Sequence, residues 1–209
     1  MLKVENLTYF GVRESPLFSN LGFSLADGEF LQLIGKNGVG KTTLLKVLLG
    51  LLERNTGKIL YNQRSCASIL EALPEEVLYL SDQMILEDEL TINQNLTFLL
   101  ALLQTESRRL NHDVVQSLLE NVGLHEKRDH KIARLSRGEK QRILLAILFY
   151  QKWKLWILDE PLIGIDAAGV LCFQAVLESH LRAGGMAILV SHQTLATQPT
   201  YQIKLGSLN

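Results

Sequence analysis

Eight consecutive residues, Gly35-Lys36-Asn37-Gly38-Val39-Gly40-Lys41-Thr42, restrict this chain more than any other feature. They fit G-x-x-x-x-G-K-S/T and follow the apolar run Phe30-Leu31-Gln32-Leu33-Ile34. A Leu-rich segment, Lys41 to Leu52, comes next and reads as a buried helix. A strand that turns through glycines into a helix is the setting this motif requires. Glycines let successive backbone N–H groups curl round an anion, because positive φ is open to them. The helix N-terminus adds unpaired donors and partial positive charge. Lys41 can set its ammonium against β and γ phosphates, and the Thr42 hydroxyl can ligate Mg²⁺. A Gly-rich turn before a core helix would need neither Lys nor Thr at those offsets. The candidate nucleotide-binding residues are therefore Gly35, Lys36, Asn37, Gly38, Val39, Gly40, Lys41, Thr42 and Thr43.

A second motif completes the first. Leu155-Trp156-Ile157-Leu158-Asp159-Glu160-Pro161 reads as an apolar strand ending in two adjacent carboxylates. In a parallel sheet the carboxyl ends of the strands form the ligand crevice. Asp159 placed there would hold Mg²⁺, directly or through water. Glu160 would orient and deprotonate an attacking water. The expected cofactors are ATP and Mg²⁺.

The rest of the chain fits around these motifs. Strands are expected over the first ten residues and at 18–25, 29–34, 58–61, 77–80, 155–158, 186–190 and 201–205. Between about Met84 and Arg134 the pattern is helical, with Leu96, Leu99, Leu100 and Leu103, then Val114, Val115, Leu118, Leu119 and Val122. Gly123 is placed to cap the second of those helices. Further helices are expected from Ser136 to about Tyr150 and from about Ala167 to Leu181. Helices alternating with fully apolar strands imply an α/β fold with a mainly parallel sheet covered on both faces.

Composition rules out several classes. With 209 residues, net charge −1 and 47% hydrophobic residues, the chain is an ordinary globular mixture without the Lys/Arg surplus of a nucleic-acid binder. Cys66 and Cys172 lack metal-ligand spacing and read as two reduced, partly buried thiols. No apolar run spans a bilayer. His112, His125, His130 and His180 have no ligand-like spacing and read as surface or helix-end residues.

Leu135-Ser136-Arg137-Gly138-Glu139-Lys140-Gln141-Arg142 resembles the signature motif of ABC ATPases. Gln83 stands in the position of that family's Q-loop, Asp166 in that of its D-loop and His192 in that of its H-loop, all in the family's order. Alone, Ser136-x-x-Glu139 would be read as a capping box, and His192 as a structural histidine. The resemblance covers essentially the whole chain. It implies the ABC-ATPase variant of the P-loop NTPase fold, as a single domain over 1–209. An antiparallel N-terminal β part and a helical subdomain at about 84–135 are expected within it.

It also implies roles. Ser136 and Gly138 would reach the γ-phosphate bound to a second ATPase subunit, in a head-to-tail ATP-sandwich homodimer. His192 would contact the γ-phosphate and the attacking water, and Gln83 would touch Mg²⁺ and hinge the helical subdomain. Tyr9 is chosen over Phe10 as the ring that stacks on adenine. Arg137 and Glu139 depart from the common L-S-G-G-Q form, which bears on the strength of ATP-driven dimerisation.

Finer features, including Leu155–Pro161 and Gly184–Gln193, resemble the ATP-binding subunits of the cytochrome c maturation system. That resemblance implies a peripheral protein on the cytoplasmic face of a bacterial inner membrane, bound to integral membrane subunits. It would power haem export or release of a haem-loaded chaperone. Two other readings stand beside it: the ATPase of another ABC exporter or importer, and a soluble ABC protein acting on nucleic acid or ribosomes. A nucleotide-binding module without hydrolysis is disfavoured by Glu160, Gln83 and His192.

Overall fold

The computed structural model describes residues 1–11, 15–81, 86–103, 112–150 and 153–206. In chain order the strands are β1 (Leu2–Tyr9), β2 (Phe18–Leu25), β3 (Phe30–Ile34), β4 (Thr56–Tyr61), β5 (Arg64–Cys66), β6 (Val77–Ser81), β7 (Leu155–Asp159), β8 (Met186–Val190) and β9 (Tyr201–Lys204). The helices are α1 (Lys41–Leu49), α2 (Ile69–Ala72), α3 (Ile92–Leu102), α4 (His112–Asn121), α5 (Arg137–Ala146) and α6 (Ala167–Arg182). The α/β expectation holds: the strands form a four-stranded sheet in the order β2-β1-β4-β5 and a five-stranded sheet in the order β6-β7-β8-β3-β9.

The first sheet is antiparallel throughout, with β1 paired to both β2 and β4. In the second, β7 and β8, β8 and β3, and β3 and β9 pair in parallel. Strands β7 and β8 are buried at every residue, which is why they read as unbroken apolar runs. This parallel order brings the carboxyl ends of β7, β8 and β3 side by side.

The chain divides into two units. The first comprises 1–79, 153–160 and 180–209; the second comprises 80–152 and 161–179. Within the first, α1 buries Leu44, Leu45, Val47, Leu48 and Leu49 in a core shared with Leu31, Leu33, Leu155, Ile157, Ile188 and Val190. Each fully buried Leu stabilises the fold by about 1.5–3 kcal/mol relative to exposure. The second unit packs Leu96, Leu99 and Leu100 of α3, Val115, Leu118 and Leu119 of α4, and Ile143 to Leu145 of α5 into its interior. Buried Asn95 is satisfied there, donating to Glu87 O (3.0 Å) and Thr91 O (3.1 Å) and accepting from Glu87 N–H (2.8 Å). This unit contains the described part of the predicted helical segment at about 84–135, and also α5 and most of α6.

Several elements differ from the sequence reading. The first helix ends at Leu49, not Leu52, because Gly50 takes φ 80° and the Leu51 N–H turns back to Lys46 O at 2.8 Å. The apolar Leu51 and Leu52 hid that stop. The helix predicted from Ser136 to Tyr150 is α-helical only to Ala146 and tightens into a 3₁₀ turn over Ile147–Tyr150. The hairpin β4–β5 was not foreseen. Its two-residue loop, Asn62-Gln63, has φ of 48° and 66°, a conformation for which Gln is an unusual choice. Gly123, as expected, caps α4: it has φ 67°, and the Leu124 N–H reaches Leu119 O at 2.8 Å.

His180 lies in the last turn of α6, as the helix-end reading expects, but it is buried rather than on the surface. It is 7% exposed and stacks on Trp156 with ring centroids 3.8 Å apart, and its Nε2 lies 3.0 Å from Met186 O. Burial pushes its pKa down, so the imidazole is held neutral as a core residue. A Cβ at Gly185 would overlap that ring, so the glycine makes room for it. His125 and His130 are exposed, and both cysteines are half-buried free thiols.

Candidate nucleotide site

The first unit assembles its site from three strand ends. After β3 the chain turns through Gly35 (φ 148°), Gly38 (φ 76°) and Gly40 (φ 107°) into α1. At Gly35 a Cβ would stand 2.7 Å from Leu205 O, and at Gly40 it would strike the Leu17 side chain at the same distance. Both positions demand glycine for conformation and for space. Gly40 is the N-cap of α1 and provides no side-chain cap, so the first-turn N–H groups stay directed out of the helix. Lys36, Asn37, Gly38 and Thr42 are exposed, whereas Val39 and Thr43 are half-buried.

Lys41 is only 7% exposed, and its ammonium donates to Gly35 O at 2.8 Å and Lys36 O at 3.4 Å. It also lies 3.1 Å from His192 Nε2 and 3.7 Å from Glu160 Oε1. The Thr42 hydroxyl donates to Asp159 Oδ2 at 2.6 Å, joining the two motifs. Asp159 is buried at the end of β7.

Glu160 takes φ 52°, uncommon for a residue with a Cβ, and its N–H is fixed to Val190 O at 3.0 Å. That turn aims its carboxylate at Lys41 and at His192, whose Nε2 stands 3.4 Å away. Burial pushes the Glu160 pKa up, while the His192 and Lys41 charges pull it back. His192 Nε2 thus faces an ammonium and a carboxylate together. Which of the two it bonds depends on the tautomer: a bare Nε2 accepts from Lys41, and an Nε2–H donates to Glu160.

One residue here was missed from sequence. Gln32, at the middle of β3 and 7% exposed, donates through Nε2 to Ser191 O (3.2 Å) and Gln193 O (3.3 Å), the carbonyls on either side of His192. Its Oε1 accepts from Gln202 at 3.1 Å. A polar residue inside an otherwise apolar strand was the available signal. Tyr9 stacks on Phe18, centroids 5.8 Å apart, and packs against the core, while the Phe10 N–H donates to Asn55 Oδ1. Gln83 lies outside the described residues.

The second unit carries the signature segment. Ser136 caps α5, accepting from the Glu139 N–H at 3.3 Å, and Glu139 Oε2 accepts from the Ser136 N–H at 2.8 Å. Lys127 binds Glu139 Oε1 at 2.5 Å. Lys127 first, then the Ser136 N–H and hydroxyl, hold the Glu139 pKa down to about 2. Gly138 packs against Gly164, whose carbonyl would lie 3.2 Å from a Cβ at 138. Asp166 caps α6 by accepting from the Gly169 N–H (2.9 Å) and lies 3.5 Å from Arg142 Nη2.

The ABC transporter family profile matches residues 18–163. The Vibrio cholerae serotype O1 protein named cytochrome c biogenesis ATP-binding export protein CcmA is 40% identical over 209 residues, 99% of each chain. The like-named protein of Dechloromonas aromatica is 39% identical over 194 residues, covering 92% of this chain and 93% of its own. Among solved structures, an ATP-binding ABC transporter protein from Pyrococcus furiosus superposes with TM-score 0.80, covering 98% of this chain and 96% of that one at 22% identity. A dimeric ATP-binding cassette bound to ADP and Pi gives TM-score 0.76, covering 92% and 88% at 20% identity, and shares the fold. With the family profile spanning most of the chain and relatives matching it end to end, the chain belongs to the ABC transporter family, as an ATP-binding subunit that hydrolyses ATP.

Proposed function

We propose that this subunit powers the export step of c-type cytochrome biogenesis, haem export or release of a haem-loaded chaperone, from the cytoplasmic face of a bacterial inner membrane. The observation that carries this reading is the end-to-end likeness to proteins named for that process, 40% identical over 99% of both chains. Subunits of this family dimerise and pair with membrane subunits, and no described helix here is long and apolar enough to cross a membrane. The membrane path then belongs to integral subunits of the maturation complex. In this reading residues 1–209 act as one ABC ATPase domain, with the helical unit facing those partners.

The chemistry follows from the first unit. Backbone N–H groups from Gly35 to Thr43 would cradle the phosphates, and Lys41 would neutralise the β and γ oxygens. The donors that meet at 2.6 Å, the Thr42 hydroxyl and the Asp159 carboxylate, are hard oxygens that suit Mg²⁺, with Gln83 as a further oxygen donor. When bound, Mg²⁺ would supply charge neutralisation on the phosphate oxygens. Glu160 would take a proton from the attacking water as it adds to the γ-phosphorus and ADP departs. His192, held by Gln32, would hydrogen-bond that water and the γ-phosphate. Its raised pKa suits Glu160 to proton abstraction better than an ordinary surface carboxylate.

Ser136 and Gly138 would complete the site of a second copy, each copy lending its α5 to the other's ATP. Tyr9 would stack on adenine. A larger loss of ATP affinity in Phe10→Ala than in Tyr9→Ala would move that role to Phe10. The deciding test is affinity purification of tagged Glu160→Gln protein from detergent-solubilised membranes with ATP and Mg²⁺. Co-purifying cytochrome c maturation subunits and a haem Soret band support the export role. Other membrane proteins without haem would keep the ATPase and discard that role, and recovery with ribosomes would discard transport.

A further inference from the structure

The start of α5 is closed by its own side chains. The Ser136 hydroxyl donates to Glu139 Oε2 at 2.9 Å, and the Ser136 N–H donates to the same oxygen at 2.8 Å. Both donors of the N-cap residue thus end on one carboxylate oxygen. The other oxygen is held by Lys127 at 2.5 Å. Glu139 keeps 14% of its side chain exposed and Lys127 keeps 48%, so the anion is set into the helix end with its cation on the solvent side. A glutamine here would still form the capping box, but through a neutral oxygen. Hydrogen bonds to a carboxylate are roughly twice as strong as neutral ones, so these donors are hard to redirect. A phosphate approaching this end meets a resident negative charge.

We propose that Glu139 is an internal counter-anion which competes with the γ-phosphate of a second copy for the N-cap donors of α5, and that Lys127 cancels its charge, so that this pair sets how much ATP is needed to join two copies. The inference rests on the head-to-tail ATP sandwich proposed above and deepens it. Glu139 acts on the reaction through Ser136, and Lys127 through Glu139; both are positioning residues. Glu139→Gln keeps the capping box and removes the charge, which favours pairing. Lys127→Ala leaves the carboxylate uncompensated beside the incoming phosphate, which disfavours it. In a chain already carrying Glu139→Gln, Lys127 is no longer anchored at the helix end by its ion pair, so its loss should shift pairing less than it does in the parent.

The experiment is sedimentation velocity on the whole 209-residue chain carrying Glu160→Gln, titrated with ATP and Mg²⁺. Calorimetry of ATP binding and the melting temperature are recorded for every variant. Glu139→Gln should lower the ATP concentration at half-pairing by about threefold to tenfold, and Lys127→Ala should raise it by about twofold to fivefold. The double variant should differ from Glu139→Gln alone by less than Lys127→Ala differs from the parent. A shift from Lys127→Ala that is equal in both backgrounds would overturn the proposal, because a merely structural Lys127 would behave that way. Pairing in the parent with no change, or a weakening, in Glu139→Gln overturns it as well. A parent that binds ATP yet never pairs overturns the sandwich reading and this inference together.

Discussion

Two helices in this molecule begin in opposite ways. The first, α1, starts behind Gly40, which has no side chain to cap it, and its leading N–H groups face the mouth of a glycine loop. The other, α5, starts behind Ser136, capped by its own hydroxyl and by Glu139, with Lys127 bound outside. Any helix N-terminus attracts anions. At α1 that attraction is left open, and Lys41 adds to it. At α5 it is already met by a carboxylate of the same chain. An anion site is therefore made as much by withholding the local cap as by supplying a helix.

The largest expected effect breaks the chemistry on the α1 side alone. Glu160→Gln should slow phosphate release by the assembled complex by about 10²–10⁴-fold while ATP still binds. Unchanged turnover would remove Glu160 as the base. The pH profile carries the same information. Glu160 must be ionised to accept a proton, and its raised pKa means that acidification protonates it sooner than an ordinary glutamate. The rate should accordingly fall on acidification at a pH above the usual carboxylate range, with no such limb left in Glu160→Gln.

Lys41→Ala should come next, weakening ATP affinity by about 30–100-fold in calorimetry through loss of charge-assisted bonds. Gly40→Ser then asks whether α1 can be closed as α5 is. With φ at 107° and Leu17 in the way, it should cost about 1–3 kcal/mol in urea unfolding and reduce ATP affinity as well. A stable Gly40→Ser protein with full affinity would show that the bare cap is dispensable. Smallest is Ser136→Ala, expected to cost about 1 kcal/mol and lower the melting temperature by about 2–4 °C. A fall in ATP-driven pairing beyond that loss would separate the phosphate role of Ser136 from its capping role.

The contrast between the helix ends was only half legible beforehand. Gly35–Thr42 and Asp159-Glu160 were readable because each needs particular residue types at fixed local offsets, next to an apolar strand. Ser136-x-x-Glu139 was readable as a capping box for the same reason. Lys127 was not: it meets Glu139 through the packing of one helical unit, and nothing in the spacing says so. Gln32 was absorbed into an apolar run, and His180 reads as a surface or helix-end residue because one histidine near a helix end carries no periodic signal of burial.

By itself, then, the sequence determined the parallel strands, the glycine loop, the paired carboxylates and the cap of α5, all of which are local matters of periodicity, backbone freedom and short-range hydrogen bonding. Only the tertiary structure decided that Lys41, Glu160 and His192 meet one another, that Gln32 grips the carbonyls on either side of His192, and that Trp156 covers His180. Those contacts join residues far apart in the chain. Their partners are set by which strands lie side by side, and strand order is a global result of packing that no local pattern encodes.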